Sequence, residues 1–418
     1  MLSPGQEIAL AVEKPAAGGA MIARAGGRIV LVTGAIPGER VRARLVRVSK
    51  GVAYAETVEV EEPSSDRRDP PGDPSCGGCL YAHIAYPRQL AIKAQVIADA
   101  FTRIGRIGLP ASVPVAGSPE EGYRMRARLH VRGQRLGFFR ENTHDLCDAR
   151  ATRQLLPATC DALDRLVAAS RSLGVDVIRE IEVSENADAS ARVGYLDTTD
   201  AVDARALERL AAAGGLTGLG SAFGAHGSAH VTDTIDVAEG IAVTLQRHVL
   251  SFFQGNRYLL GSLVRHVVDQ LPEGGDVIDL YAGVGLFAVS AAAARHARVT
   301  AVEGDRYAAA DLAANAAASG AAVTAVHQSV ETFVRRVRVQ PGAPSVILDP
   351  PRTGLSKEAL EGARHLKAPR LVYVSCDVAT LARDARTIVD AGYAISRLDA
   401  FDLFPNTPHV ETVVVFTR

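Results

Sequence analysis

A thiol and several carboxylates in the second half of the chain stand where chemistry is done in α/β proteins. The stretch L-V-Y-V-S-C-D at 371–377 places Cys376 directly after four apolar residues and a serine, and a helical pattern opens at 378. The apolar run reads as a buried strand. Cys376 then lies at the carboxyl end of a strand, the edge where ligands collect in open α/β sheets. A helix N-terminus at that point lowers a thiol pKa and favours the nucleophilic thiolate. A buried core cysteine is the competing reading of one thiol taken alone, so its neighbours in the fold decide. An earlier strand runs into Asp279-Leu-Tyr281-Ala-Gly283-Val-Gly285. Glycines at 283 and 285 let a ligand approach the backbone at a strand-to-helix turn. Glu303 ends the following strand, where an acid hydrogen-bonds the ribose of a nucleoside cofactor. NAD suits these features nearly as well as S-adenosylmethionine. Asp279, placed to hold a cationic ligand end, and the Asp349-Pro350-Pro351-Arg352 loop favour the sulfonium. The two prolines fix that loop in an extended form and remove backbone donors from it.

These residues need a sheet to hold them. From 276 onward, strands at 276–280, 299–302, 323–326, 345–348 and 371–374 alternate with Ala-rich or charged helices, and strands at 395–401 and 410–416 follow. Five parallel strands with crossover helices, closed by an antiparallel pair, make a doubly wound, Rossmann-like sheet. Before it, Ser251-Phe-Phe-Gln254-Gly-Asn256 leads into a helix predicted over 257–270, where Gln254 and Asn256 either cap the helix or touch a ligand.

The first half is read in smaller units. Short β-rich runs at 8–12, 28–32, 40–46 and 52–60, separated by Gly and Pro turns, predict a small OB-like barrel. Such barrels bind single-stranded nucleic acid or pack on a partner domain. Residues 61–74 are acidic and then Pro-rich, as in a linker, and lead to Cys76-Gly-Gly-Cys79. One C-x-x-C is half of a metal site, a redox pair or two free thiols. A helix is predicted over 87–104, with Pro87 at its first position. In the ribbon 123–140, Arg124, Arg126 and Arg128 alternate with small or apolar residues and share one strand face. They form either a phosphate-tracking patch or a charged, solvated edge. Residues 150–235 read as α+β without legible chemistry. The expected domains are therefore 1–60, 61–235 and 236–418.

Length and composition bound the function. A chain of 418 residues holds two or three domains. With a net charge of −1 there is no global basic signature, so any nucleic-acid surface is a local patch. The N-terminus lacks the pattern of a signal peptide, and no apolar run reaches the roughly 18 residues of a membrane span. Five cysteines, an odd and sparse set, read as cytosolic thiols rather than a disulfide framework. A cytoplasmic monomer is expected.

Taken together, Phe253-Gln254-Gly255-Asn256, the 279–285 loop, Asp349-Pro-Pro-Arg352-Thr-Gly354, Val374-Ser375-Cys376-Asp377 and His409-Val410-Glu411-Thr412 resemble the signature set of the RNA uracil-5-methyltransferases. The N-terminal barrel resembles the TRAM domain these enzymes often carry, notably around Ile36-Pro37-Gly38-Glu39. The resemblance covers nearly the whole chain. It implies methylation of C5 of a uridine in tRNA or 23S rRNA, with S-adenosylmethionine as methyl donor and RNA as partner. It implies Cys376 as nucleophile and Glu411 as general base. It also implies a donor site lined by Gln254, Tyr281, Gly283, Gly285, Glu303 and Asp349. RNA contacts are expected from Arg124, Arg126 and Arg128. Family members with a four-iron cluster have a further cysteine six residues before the C-G-G-C and another beyond the arginine ribbon. Here Pro70 and, by count, Thr152 stand in those places. Cys76 and Cys79 alone do not hold a cluster, so no iron–sulfur cluster and no metal are expected. RNA cytosine-C5 methylation, a non-catalytic RNA-binding protein and an NAD-dependent oxidoreductase are the other readings. Pro351 counts against the first, because cytosine enzymes commonly carry a cysteine there.

Overall fold

The structure is a computed structural model that describes residues 2–109, 112–141, 143–337 and 344–418. Strands β1 (Glu7–Pro15), β2 (Met21–Ala25), β3 (Arg28–Thr33), β4 (Arg40–Val48) and β5 (Val52–Glu62) close into a barrel in the order β1-β2-β3-β5-β4. Period-two alternation builds it. In β4, Val41, Ala43 and Leu45 point inward, while Arg40, Arg42 and Arg44 face out. Those arginines pair with Glu61, Glu59 and Glu7, so the barrel's basic row is largely neutralised. The sequence reading foresaw four strands and missed β2, whose M-I-A-R-A lacks a β-branched run. The barrel core continues into Tyr81 and Ile84 and into Ile92 and Val96 of helix α1 (Tyr86–Ala100). The barrel therefore packs on the rest of the chain.

The segment expected to be a linker is tied down instead. Arg67 Nε lies 2.7 Å from the buried carboxylate of Glu39. Arg68 donates to the Ala82 carbonyl at 2.9 Å and to Asn406 at 2.9 Å, and it pairs with Glu120. The expectation of free thiols also fails here: Cys76 is disulfide-bonded to Cys147 across 71 residues, with Cα atoms 5.9 Å apart. Sheet geometry, not local spacing, brings these two together, because Cys76 bridges to Arg140 at the end of the arginine ribbon. Cys79, Cys160 and Cys376 remain free.

After α1 come the short strand β6 (Val115–Ala116), β7 (Arg126–Arg132), β8 (Arg135–Phe139), β9 (Leu146–Asp148), helix α2 (Pro157–Ser172), β10 (Ile178–Glu185), β11 (Arg192–Thr198), α3 (Ala204–Gly214), β12 (Gly218–Ser221) and β13 (Gly224–Gly227). Apart from β6, these strands form one sheet in the order β13-β12-β11-β10-β7-β8-β9. Apolar side chains of α2 and α3 pack on it, Leu163, Leu166, Leu207 and Leu210 among them. A separate hairpin, β14 (His230–Ala238) and β15 (Ile241–His248), leads to α4 (Leu260–Val268). That helix begins three residues later than predicted from 257. Asn256 accepts from the amides of Tyr258 at 3.0 Å and Leu259 at 3.1 Å and holds the chain in a turn first.

The remaining elements alternate as expected: β16 (Asp276–Leu280), α5 (Leu286–Arg295), β17 (Arg298–Glu303), α6 (Arg306–Ser319), β18 (Val323–His327), α7 (Val330–Arg336), β19 (Ser345–Leu348), α8 (Lys357–His365), β20 (Arg370–Ser375), α9 (Val378–Asp390), β21 (Ala394–Phe401) and β22 (Glu411–Thr417). The sheet order is β18-β17-β16-β19-β20-β22-β21-β6. The first five are parallel, β22 is antiparallel to β20 and β21, and β6 adds an edge the sequence did not signal. Apolar clusters cover both faces of this sheet. Among the described residues no helix is long and apolar enough to cross a membrane.

Buried charge joins the β14–β15 hairpin to the central sheet. Arg247 on β15 is fully buried; its Nε lies 2.7 Å from Asp233, and it donates to the Glu185 carbonyl at 2.6 Å and to Ser184 on β10. Its guanidinium also stacks 4.6 Å from the ring of Phe253. Removing one partner of a buried pair leaves the other charge uncompensated, at a cost of about 3–5 kcal/mol. Arg247→Ala should therefore cost about that much in denaturant unfolding, whereas a paired exposed arginine such as Arg179 should cost under about 1 kcal/mol when replaced.

Candidate active site

Parallel register brings the carboxyl ends of β16, β17, β19 and β20 to one edge: Leu280 pairs with Val302 and Leu348, and Leu348 pairs with Tyr373. The loops leaving these strands surround a cavity of about 650 Å³. Of the residues expected around a methyl donor, Gln254, Tyr281, Gly283, Glu303 and Asp349 line it. Gly283 has φ +56 with open space where a Cβ would stand, so the cavity reaches the backbone itself. Glu303 is both wall and brace, accepting from the amides of Gly283 at 2.8 Å and Asp305 at 2.6 Å. Tyr281 leaves β16 with φ 65, a left-handed conformation that is unfavourable for a bulky side chain and concentrates at functional sites. Gln254 Nε2 approaches Asp349 Oδ2 at 3.4 Å.

Two expected positions differ. Gly285 does not line the cavity; it precedes α5 with φ +95, and a Cβ there would meet Leu312 Cδ1 at 2.9 Å. Its role is to let α5 and α6 approach. Asp279 is fully buried behind the loop and does not line the cavity either. Neither of its carboxyl oxygens has a well-formed hydrogen bond. Burial, then the neighbouring Asp349 and Glu303, push its pKa well above the carboxylate range, and the Ala288 amide does not offset them.

Cys376 and Glu411 share the same cavity. Ser375 pairs with Thr412 in the last rung of β20 and β22, so the chain carries Cys376 and Glu411, one position beyond it on either side, to the same edge. Sequence reasoning expected the helix N-terminus to lower the thiol pKa. The structure reverses this: burial, followed by the Glu411 charge, pushes the Cys376 thiol up to about 12, against an opposing pull from Arg352. The side chain that caps α9 is that of Asp377, which accepts from the Thr380 amide at 2.8 Å. Burial also carries Glu411 well above the usual carboxylate range, with Asp349 adding to the shift. Asp349 itself rises to about 7, through burial first and Glu303 second, while Gln254 opposes. Burial thus raises the pKa values of Cys376, Glu411 and Asp349 alike.

The three arginines of the ribbon do not form one free row. Arg126 pairs with Glu182, and Arg128 NH2 lies 3.1 Å from the same carboxylate. Arg124 instead donates to the Gln154 amide oxygen at 2.7 Å, and both Arg124 and Arg126 line the cavity. Glu182 and Gln154 lie far along the chain from the ribbon, and nothing in their local sequence signals these contacts. The same is true of Asn256 as a hub: its Nδ2 donates to Ser118 at 2.9 Å and to the Leu403 carbonyl at 3.1 Å.

A four-cysteine cluster does not fit the residues near the C-G-G-C. Cys76 is bonded to Cys147, which leaves Cys79 as the free thiol of that apolar cluster, and Thr152 is buried against the Ala149 carbonyl at 2.7 Å. Among the described residues no group of three or more His, Cys, Asp or Glu side chains is arranged to hold a metal.

Residues 226–418 match the family model for tRNA (uracil-5-)-methyltransferase, and residues 2–58 match the TRAM domain. An uncharacterized RNA methyltransferase of Thermotoga maritima is 30% identical over 97% of this chain and 98% of its own. The chain belongs to the tRNA (uracil-5-)-methyltransferase family. A 23S rRNA (uracil(1939)-C(5))-methyltransferase of Halomonas elongata, RlmD, is 33% identical over 93% of this chain and 85% of its own. The fold matches that of the Pyrococcus abyssi tRNA (uracil-54, C5)-methyltransferase, solved in complex with S-adenosyl-L-homocysteine, with a TM-score of 0.77 at 23% identity over 98% of this chain and 99% of that one. This family member is an RNA methyltransferase on an S-adenosylmethionine-dependent fold, with a TRAM barrel at its N-terminus.

Because the folded state holds the Asp279 proton more tightly than the unfolded chain, stability falls as pH rises from its ordinary value of 3.8 through the raised one. Asp279→Asn keeps the shape and removes the titration. Thermal unfolding of the ligand-free variant at neutral pH should show a gain of about 1 kcal/mol, roughly 2 °C. That gain should shrink toward acid pH.

Proposed function

We propose that the protein transfers a methyl group from S-adenosylmethionine to C5 of a uridine in tRNA or 23S rRNA in the cytoplasm, through a covalent bond between Cys376 and C6. The observation that carries this reading is the juxtaposition of Cys376 and Glu411, each one position beyond the last β20–β22 rung at Ser375 and Thr412, in the cavity that the Gly283 loop opens into. The names of the relatives support a uracil C5 target and include both tRNA and rRNA enzymes.

C5 of uracil is a poor nucleophile until something adds to C6. The Cys376 thiolate forms the S–C6 bond, and the C5=C6 electrons pass to C5 and O4. The bound donor supplies an electrophilic methyl group and a positive charge. Once C5 carries the methyl group, the Glu411 carboxylate takes the C5 proton. The electrons of that C–H bond restore C5=C6 and expel the Cys376 thiolate. Tight proton binding by the chamber fits this order: a cation lowers the pKa values of Cys376, Glu411 and Asp349 together, so reactive anions form when the donor is present. The Arg352 guanidinium acts in the same direction on Cys376 and Glu411.

RNA carrying 5-fluorouridine has no removable C5 proton and should trap an adduct at Cys376, stable to denaturing electrophoresis and absent from Cys376→Ala. An adduct that persists without Cys376 would refute the assignment. Glu411→Gln should form the adduct with ordinary RNA and release it at least about a hundredfold more slowly. With a thiol pKa near 12, the thiolate fraction grows about tenfold per pH unit below that value. Alkylation of Cys376 by iodoacetamide in the ligand-free protein should accelerate accordingly from pH 7 to 9, and Arg352→Ala should slow it. Mass spectrometry of tRNA and rRNA from a deletion strain would identify the uridine.

A further inference from the structure

Each of the three arginines expected on RNA has a polar partner, but the partners differ in charge. Arg126 and Arg128 are shared with the Glu182 carboxylate. Arg124 is held by neutral oxygens alone: its Nε donates to the Arg126 carbonyl at 2.9 Å and its NH1 to Gln154 Oε1 at 2.7 Å. Among the described residues no carboxylate lies within ion-pair distance of Arg124 or of Arg352, and both line the cavity that holds Cys376. Their positive charges join burial in holding the His409 imidazole down at about 4, so that ring does not compete for an anion.

Gln154 is built to do this and little else. It is 2% exposed, and its backbone carbonyl accepts from the Arg124 amide at 2.9 Å. Its Oε1 also accepts from the Tyr123 hydroxyl at 3.2 Å. Its Nε2 is buried without a partner and lies against Gly78, where a Cβ would fall 1.9 Å away. The amide is thus clamped on one side by the C-G-G-C turn and turned toward Arg124 on the other. A neutral acceptor orients a guanidinium without spending its charge.

We propose that Arg124 binds a backbone phosphate flanking the target uridine, with Arg352 adding to the positive field, and that Gln154 is a positioning residue that aims Arg124 while leaving it un-neutralised. This rests on the reading of the cavity as a uridine site. It narrows the arginine ribbon to one un-neutralised phosphate contact beside the chemistry; Arg126 also lines the cavity but is paired, like Arg128, with Glu182.

The test uses the full-length protein and a short uridine-containing oligoribonucleotide, made with phosphodiesters throughout or with a neutral methylphosphonate at either phosphate flanking the uridine. For the wild type, one of the two methylphosphonates should weaken binding roughly tenfold and reduce the slope of log Kd against log salt by about 0.7. Gln154→Glu, nearly isosteric, gives Arg124 a carboxylate. It should weaken binding of the unmodified RNA to a similar degree, lose the methylphosphonate penalty, and leave S-adenosylmethionine affinity unchanged in calorimetry. Should Gln154→Glu misfold, Arg124→Gln gives the same comparison. A penalty equally large in wild type and variants overturns the proposal. So does a variant whose only change is weaker cofactor binding, because Arg124 would then serve the cofactor's carboxylate. The underlying reading is checked separately by the 5-fluorouridine form of the same RNA. An oligonucleotide that binds as described but never bonds to Cys376 refutes the uridine chemistry and leaves the phosphate contact standing.

Discussion

The antiparallel pairing of β20 and β22 is the contact on which the cavity's edge depends. It carries Glu411, 35 positions downstream in the chain, back beside Cys376 at the edge where the parallel strands deliver the Gly283 loop. Side chains alternate along a strand, so a slip of one residue would turn Glu411 to the opposite face. The strand resists that slip because Glu411 through Phe416 are buried, with apolar neighbours on both sides of the sheet. The geometry of the site and the packing of the core are therefore fixed by the same pairing.

Electrostatics complete the arrangement. Asp279, Asp349, Glu411 and Cys376 crowd into one low-dielectric region, where burial and neighbouring carboxylates disfavour their charged forms. Such a region is costly to leave empty and favourable to fill with a cation. The strained Tyr281 backbone and the open Gly283 turn belong to the same economy of local cost around a binding site.

Much of this was legible in the chain itself. Strand–helix alternation from 276 onward, the glycines of the loop and the cysteine at a strand end are local signals with a local cause. Gly285 and Asp279 sit one layer behind the cavity because motif spacing gives proximity to a loop but not which side of the backbone faces a ligand. The thiol pKa ran opposite to expectation because burial and neighbouring carboxylates, both tertiary facts, outweigh a helix terminus. The same limit hid the Cys76–Cys147 bond and the Glu182 partner of Arg126 and Arg128. Each depends on strands or segments brought together from distant parts of the chain.

The three structural units are bolted together by side chains that leave little room for hinging. Lys93 of α1 is 2.5 Å from Asp402, both buried, and Gln89 exchanges hydrogen bonds with Asn406 at 2.9 Å. Arg257 joins the Gly122 and Ala187 carbonyls to the Glu185 carboxylate. Bracing of this kind opposes relative movement of these segments. A base that leaves its stack forfeits a few kcal/mol, least where it is already unpaired. On the proposed uridine chemistry, a braced site would favour RNA whose target base is already unpaired over RNA that holds it in a continuous helix.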